Sequence, residues 1–473
     1  MKRLCCLLPI LATLFVSMAH AEETSKPNLL FLFADDQSYE AVGYRGMTQV
    51  KTPNIDQLAS RSLSFTHAYN QGSWSGAVCV ASRTMLNTGR FVWRANDVYK
   101  TAEAERSAGR FWSEHLKKAG YQTYMTGKWH VPANAAKAFD VTGHVRGGMP
   151  KQTPEGYNRP QSRDDKTWQP WDPKFGGFWE GGKHWSEVVG DEAVDFLQTA
   201  ANDPRPFFMY VAFNAPHDPR QSPKEFVDMY PADEVEVPVD FLPEYPEHKS
   251  IGCPPSLRDE NLAPFPRTKY AVQVNRQEYF AIITHMDQQI GRILKALEES
   301  GKADNTYVFF TADHGLACGH HGLMGKQNSF DHSIRVPLLV SGPGIKPGTN
   351  PAPVYLQDIM PTTLQLAGIA QPKHVDFHSL MPLIEGKEKT SYDAIYNCYL
   401  DLQRSITADG FKLMVYPKAD CVKLFDLAKD PSETKDLSAD PSYAEKKQQL
   451  FATLQAWQTK VGDQLQLDPK LLD

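Results

Sequence analysis

Five short apolar runs punctuate the chain. They are NLLFLFA at 28–34, YQTYMT at 121–126, PFFMYVAF at 206–213, TYVFFT at 306–311 and VPLLVS at 336–341. Runs of this length and apolarity predict strands buried on both faces of a parallel sheet. Between them the apolar spacing lengthens to the helical three or four at 55–62, 111–119 and 277–300. The last two stop at Gly120 and Gly301, and glycine just past a periodic run is a helix end signal. Strands alternating with helices predict an α/β fold, a large and mainly parallel sheet sandwiched by helices.

From about residue 391 the texture changes. AIYNCYL, RSITADGFKLMVY and CVKLFDL alternate like antiparallel strands, and 443–461 reads as an amphipathic helix. The expectation is a main domain over 22–390 and a smaller C-terminal α+β subdomain with an antiparallel sheet over 391–473. Residues 150–186 differ again. They are rich in Gly, Pro and aromatics and hold Trp168, Trp171, Trp179 and Trp185. Two readings apply: indole faces for sugar rings, or a long insertion packed down on its own tryptophans. A second Pro-rich loop spans 237–266.

Composition narrows this picture at its start. MKR, an apolar core over 4–18 and Ala19-His20-Ala21 read as a secretory signal peptide over 1–21. Export to the periplasm or medium follows, with no membrane attachment after cleavage. The net charge of -6 offers no basic stripe for nucleic acid. Cys5 and Cys6 leave with the signal, and Cys79, Cys253, Cys318, Cys398 and Cys421 remain. If Cys79 does other work, four allow three pairings. Cys398–Cys421, across a hairpin-like segment, is one candidate, and buried free thiols are the alternative. No C-x-x-C zinc spacing is present.

The chemistry sits where the strands stop. NLLFLFA runs into Asp35-Asp36, YQTYMT into Gly127-Lys128-Trp129-His130, PFFMYVAF into Asn214-Ala215-Pro216-His217-Asp218, and TYVFFT into Ala312-Asp313-His314-Gly315. A parallel sheet brings such ends to one edge, where α/β proteins bind ligands. Asp35, Asp36 and Asp313 suit a hard divalent cation, although His314 suits softer metals better. Arg83, Lys128, Lys326, His130 and His217 suit a tetrahedral oxyanion such as sulfate or phosphate. Singly, each is more often structural or solvated; the strand-end placement of Lys128, His130 and His217 raises the functional reading. Cys79 opens a helix-like run, a place that favours a thiolate, unless it is a small buried hydrophobe.

Cys79-Val-Ala-Ser82-Arg83 followed by Thr88-Gly89-Arg90 resembles the signature of the type I, formylglycine-dependent sulfatases of the alkaline-phosphatase-like superfamily. PNLLFLFADDQ, TPNIDQLASRSLSFTHAY, GYQTYMTGKWH, APHDP, TADHG, GKQNSFDHSIRVPLLV and LFDLAKDPSETKDL extend the resemblance over nearly the whole mature chain. It implies that a maturation enzyme oxidises Cys79 to Cα-formylglycine. The hydrated aldehyde attacks sulfur, and its second hydroxyl expels sulfate. It further implies Ca²⁺ held by Asp35, Asp36, Asp313 and His314, and Arg83 steadying the formylglycine and the metal carboxylates. Lys128 and Lys326 would bind sulfate oxygens. His130 would assist the formylglycine hydroxyl, and His217 would protonate the leaving oxygen. Ala81 stands where many members carry proline, which leaves two maturation routes. A radical-SAM system acting before export tolerates alanine; the aerobic copper-dependent enzyme usually prefers proline.

The DDQ start and the DHG variant resemble the polysaccharide-acting and iduronate-sulfatase-like branches. The substrate expected is therefore a sulfated polysaccharide or its oligosaccharides, such as ulvan or carrageenan, with His144, Arg146, Trp168 and Trp171 as candidate sugar contacts. A phosphate or phosphonate ester hydrolase of the same superfamily is the alternative, and a non-catalytic glycan-binding protein a third reading.

Overall fold

A computed structural model describes residues 26–472. The expected signal peptide lies outside the described residues. Among these, no helix is long and apolar enough to cross a membrane.

Two sheets organise the chain. The larger is built from β1 (Asn28–Ala34), β2 (Leu63–Tyr69), β4 (Gln122–Lys128), β5 (Val141–Arg146), β6 (Phe207–Ala212), β7 (Thr306–Ala312), β8 (Arg335–Val336), β9 (Leu338–Ser341) and β10 (Gly348–Tyr355). Its order is β10-β2-β9-β7-β1-β6-β4-β5, with β8 beside β2. The strands β7, β1, β6 and β4 are neighbours and mutually parallel. Every residue of β1, β6 and β7 is buried, as their unbroken apolarity required. Helices Pro53–Ser60, Trp185–Ala201 and Lys269–Glu299 pack together in one layer. Helices Val78–Thr88, Trp112–Lys118 and Ile359–Leu366 pack in another. Trp112 of the second layer sits edge-on to Phe31 of β1, ring centroids 5.1 Å apart.

The run at 336–341 departs from expectation. It is split at Pro337, which has no N–H to donate. β9 runs antiparallel to both β7 and β2. The segment after β7 stays at the carboxyl edge, carrying Asp313 and Lys326, so the next strand must return through the sheet backwards. The long helix starts at Lys269, eight residues before the sequence pattern, because Thr268 caps it by accepting from the Ala271 amide at 3.1 Å. β2, β5, β10 and the helix Trp185–Ala201 were not legible as apolar runs.

The smaller sheet has the order β14-β13-β12-β11-β3, from β3 (Gly72–Ser73), β11 (Ile395–Tyr399), β12 (Gln403–Ala408), β13 (Phe411–Tyr416) and β14 (Cys421–Asp426). The helix Ala444–Val461 packs on it. The sheet does not belong to 391–473 alone. β3, seven residues before Cys79, pairs in parallel with β11 and ties the C-terminal region to the segment leading into the Cys79 helix. The Cys398–Cys421 pairing is overturned. Cys398 lies on β11 and Cys421 on β14, three strands or ~14 Å apart, and a disulfide needs Cα atoms within about 7 Å. All five described cysteines are free thiols.

Candidate active site

The four expected strand ends converge. Asp35 and Asp36 follow β1, Asp313 and His314 follow β7, His217 follows β6, Lys128 is the last residue of β4, and His130 follows it. The backbone at these ends is bent to aim side chains. Asp36 and His130 hold positive φ, 70° and 53°, a strained region for residues with a Cβ. Tyr279 of the long helix pins the first turn. Its hydroxyl donates to the Asp36 carbonyl at 2.7 Å and accepts from the Ser38 amide at 2.9 Å. Gly127 supplies a bulge before Lys128. At φ 90° its missing Cβ would lie 1.8 Å from the Ala212 carbonyl.

The Cys79 helix, Val78–Thr88, is buried along its whole length. Cys79 Sγ lies 3.3 Å from His314 Nε2, 3.5 Å from Lys326 Nζ and 3.9 Å from Asp36 Oδ1. Burial pushes the thiol pKa up, but Lys128, Lys326 and His314 pull it well below its ordinary value. Arg83, one turn on and fully buried, donates from Nε to Asp313 Oδ2 at 3.0 Å and from Nη1 to the Lys128 carbonyl at 2.7 Å. Its Nη2 is 3.8 Å from Asp35 Oδ1. Lys128 pairs with Asp35. Lys326 Nζ donates to both oxygens of Asp36 at 2.7 and 2.9 Å and lies 3.1 Å from His217 Nε2. The site segments thus bring all ten expected residues together.

Three buried carboxylates meet here, and the strain falls on Asp35. Burial, Asp313 and Cys79 raise the Asp35 pKa well above the usual range, and Asp35 Oδ1 has no hydrogen-bond partner. Metal-ligating atoms of Asp35, Cys79, Asp313 and His314 lie within 4.8 Å of one another, as do those of Asp35, Asp36, Cys79 and His217. His314 Nδ1 donates to the Gly315 carbonyl at 2.8 Å and Nε2 faces Asp36 and Cys79. Against burial, Asp313 and Asp36 lift the ring's pKa to about 9, so a cation bound at Nε2 would displace a proton. A hard divalent cation fits this donor set and would offset its stacked negative charge.

His217 is the group facing outward from this floor. Its Nδ1 lies 2.9 Å from Asp218 Oδ1, so Nε2 points to the cavity. Against burial, Asp36 and Asp218 lift its pKa to about 9. A cavity of about 440 Å³ opens above Cys79, His130, His217 and Lys326, walled by Gly148, Met149, Leu257, Arg258, Asp259 and Gln327. Gly148 is required there because a Cβ would lie 2.4 Å from the His130 ring.

The sequence did not find the wall. Asp218 was visible only as a neighbour of His217, and Arg258-Asp259 lay in a Pro-rich loop with no pattern. None of the four candidate sugar contacts lines this cavity. His144 binds Glu192, and Arg146 lies over the Trp185 ring at 4.5 Å. Trp168 is sandwiched by Phe175 and Arg159 and donates to Glu278 at 3.2 Å. Lys224 covers Trp171 at 5.2 Å. The indoles of Trp168 and Trp171 pack the insertion against the body of the protein.

The sulfatase family model matches residues 27–369, which includes every site residue above. The chain belongs to the sulfatase family. It is a sulfuric ester hydrolase. A second model, the N-sulphoglucosamine sulphohydrolase C-terminal region, matches 319–460. The chain is 29% identical over 449 residues to the choline-sulfatase of Rhizobium meliloti, covering 88% of this chain and 83% of that protein. It is 26% identical over 533 residues to the N-acetylglucosamine-6-O-sulfatase of Bacteroides thetaiotaomicron, covering 97% and 91%. The fold matches a protein solved with its substrate D-glucosamine-2-N,6-O-disulfate, with TM-score 0.73, 23% identity, and 94% and 99% of the chains covered. It also matches the phosphonate monoester hydrolase of Silicibacter pomeroyi, with TM-score 0.72, 20% identity, and 93% and 96% covered.

Proposed function

We propose that this sulfatase is exported and removes sulfate esters from a sulfated polysaccharide or its oligosaccharides, with Cys79 matured to formylglycine and Ca²⁺ at the strand-end carboxylates. The observation that carries the reading is the placement of Cys79. It sits at a helix N-terminus between a carboxylate cluster and two buried lysines. A thiolate nucleophile there would repel a sulfate ester and would need no metal site.

When present, the formylglycine hydrate supplies the oxygen that attacks sulfur and the second hydroxyl that later expels sulfate. Asp35, Asp36, Asp313 and His314 would hold the Ca²⁺, which would supply positive charge against the negative charge of the reacting groups. Lys128 and Lys326 present fixed positive charge to the remaining sulfate oxygens. Arg83 keeps Asp35 and Asp313 in register with the nucleophile. His130 serves the formylglycine hydroxyl. His217, oriented by Asp218, delivers a proton to the leaving sugar oxygen. The two curated relatives act, by their names, on choline sulfate and on N-acetylglucosamine 6-sulfate, so both small and carbohydrate esters belong in the test.

Sulfate release from a panel of defined sulfated oligosaccharides, with choline sulfate and an aryl phosphate alongside, tests this reading. Release from at least one oligosaccharide is expected. Turnover of choline sulfate alone would overturn the carbohydrate substrate, and faster phosphate than sulfate ester hydrolysis would favour the phosphate or phosphonate alternative.

A further inference from the structure

We propose that Arg258 forms a second anion subsite, which selects esters whose sulfated ring carries a further carboxylate or sulfate next to the scissile group. The inference rests on the sulfatase reading of the site and names the substrate class it prefers.

The argument begins with a donor count. A guanidinium carries five N–H donors. Nε and Nη2 of Arg258 donate to Asp259 Oδ1 at 3.0 and 2.6 Å, and Nε lies 3.4 Å from Asp218 Oδ2. Among the described residues Nη1 hydrogen-bonds to no oxygen; the atom it abuts is the Met149 sulfur. A thioether is a weak acceptor for a charged donor. Two of the five donors therefore face only a side chain that moves easily.

The surroundings single this residue out. Apart from the groups assigned to the reacting sulfate, the charged residues lining the cavity are Arg258 and Asp259. Asp259 is consumed behind it. One oxygen faces Arg258; the other accepts from Gln327 at 2.8 Å and lies 3.8 Å from Lys326 Nζ. Asp259 is buried, whereas the Arg258 side chain is 35% exposed. The two carboxylates behind the guanidinium fix its plane and leave its free edge toward the cavity.

Position supplies the specificity. Arg258 Nη2 is 3.5 Å from His217 Nε2, the nitrogen that addresses the leaving oxygen. A group held by Nη1 thus sits beside the scissile ester, on the same ring. Carboxylate and sulfate oxygens both match a guanidinium edge. An uncharged ring leaves that edge unpaired, which costs affinity when water is excluded.

The test compares kcat/KM for three probes: 4-nitrophenyl sulfate, 2-carboxy-4-nitrophenyl sulfate and 4-nitrocatechol disulfate. Intrinsic reactivity cancels when the ratio of each doubly charged probe to 4-nitrophenyl sulfate is compared between wild type and Arg258→Gln. The account expects that ratio to fall about 30-fold in Arg258→Gln, mainly through KM, and to recover in part in Arg258→Lys. A fall for one probe only identifies carboxylate or sulfate as the recognised group. An unchanged ratio, with all probes slowed equally, would overturn the subsite and leave Arg258 as a support for His217. Sulfate release by wild type from none of these probes and from no member of the oligosaccharide panel would instead overturn the sulfatase reading.

Discussion

The floor and the wall of the cavity are built in different ways. The floor is made by strand ends. Asp35, Asp36, Lys128, His217, Asp313 and His314 follow four adjacent parallel strands, so sheet pairing alone brings them together. The wall is made by loops. Arg258 and Asp259 are held at the site by Asp259 itself, through Gln327, and by the next residue, Glu260. Its buried carboxylate accepts from the Gly325 amide at 2.8 Å and pairs with Arg267 at 2.6 Å. This ties the loop to the segment carrying Lys326. On the reading proposed above, the chemistry would be held by the sheet, and substrate choice by a contact between two loops.

That contrast orders the effects of perturbation. Cys79→Ala removes the precursor of the nucleophile, and sulfate release should fall at least ~10⁴-fold. Residual turnover within tenfold of wild type would break the assignment of the floor. Chelation of the metal should cost ~10²–10³-fold, restored by Ca²⁺ in wild type but not in Asp313→Asn. Full activity in excess chelator would contradict the cation reading of the carboxylates. His217→Gln should cost ~10²-fold on a sugar sulfate and less on 4-nitrophenyl sulfate, because nitrophenolate leaves without a proton. Equal losses on the two esters would move His217 out of the leaving-group role.

A smaller effect probes the ties beneath the floor. His320 lies 2.8 Å from Glu40 and 2.9 Å from Asp240, and these partners lift its pKa to about 9 against burial. The raised value means that the folded state holds the proton more tightly than the unfolded chain, whose value is about 6.5. The stabilisation is therefore complete below pH ~6.5 and is lost as pH rises through about 9. His320→Gln should lower unfolding stability by about 1–3 kcal/mol near pH 6 and match wild type near pH 10. A pH-independent difference in denaturant melts would show that packing, not charge, makes the tie. Smallest of all, Trp168→Phe should leave sugar turnover within about threefold and lower stability through its lost bond to Glu278. A selective loss on sugar esters would return the tryptophans to the substrate.

The floor was legible because fully buried parallel strands write themselves as apolar runs, and the residue types after each run are the chemistry. The same rule misread the direction of 336–341, since a buried strand looks alike in either orientation. β2 and β5 carry half-buried positions and gave no run. The wall was illegible for a different reason. Arg258 is placed by hydrogen bonds between loops far apart in sequence, and no local period records such a contact. Cys398 and Cys421 teach the same point from the other side. They are 23 residues apart in sequence, yet the sheet order puts two strands between them.

The central claim is that Cys79 is the precursor of an aldehyde and not itself the working group. Mass spectrometry of the Cys79 peptide, on the same purified sample whose sulfate release has been measured, tests it most directly. The account predicts formylglycine at Cys79 in a fraction that tracks specific activity across preparations. Unmodified cysteine throughout a fully active sample would contradict it.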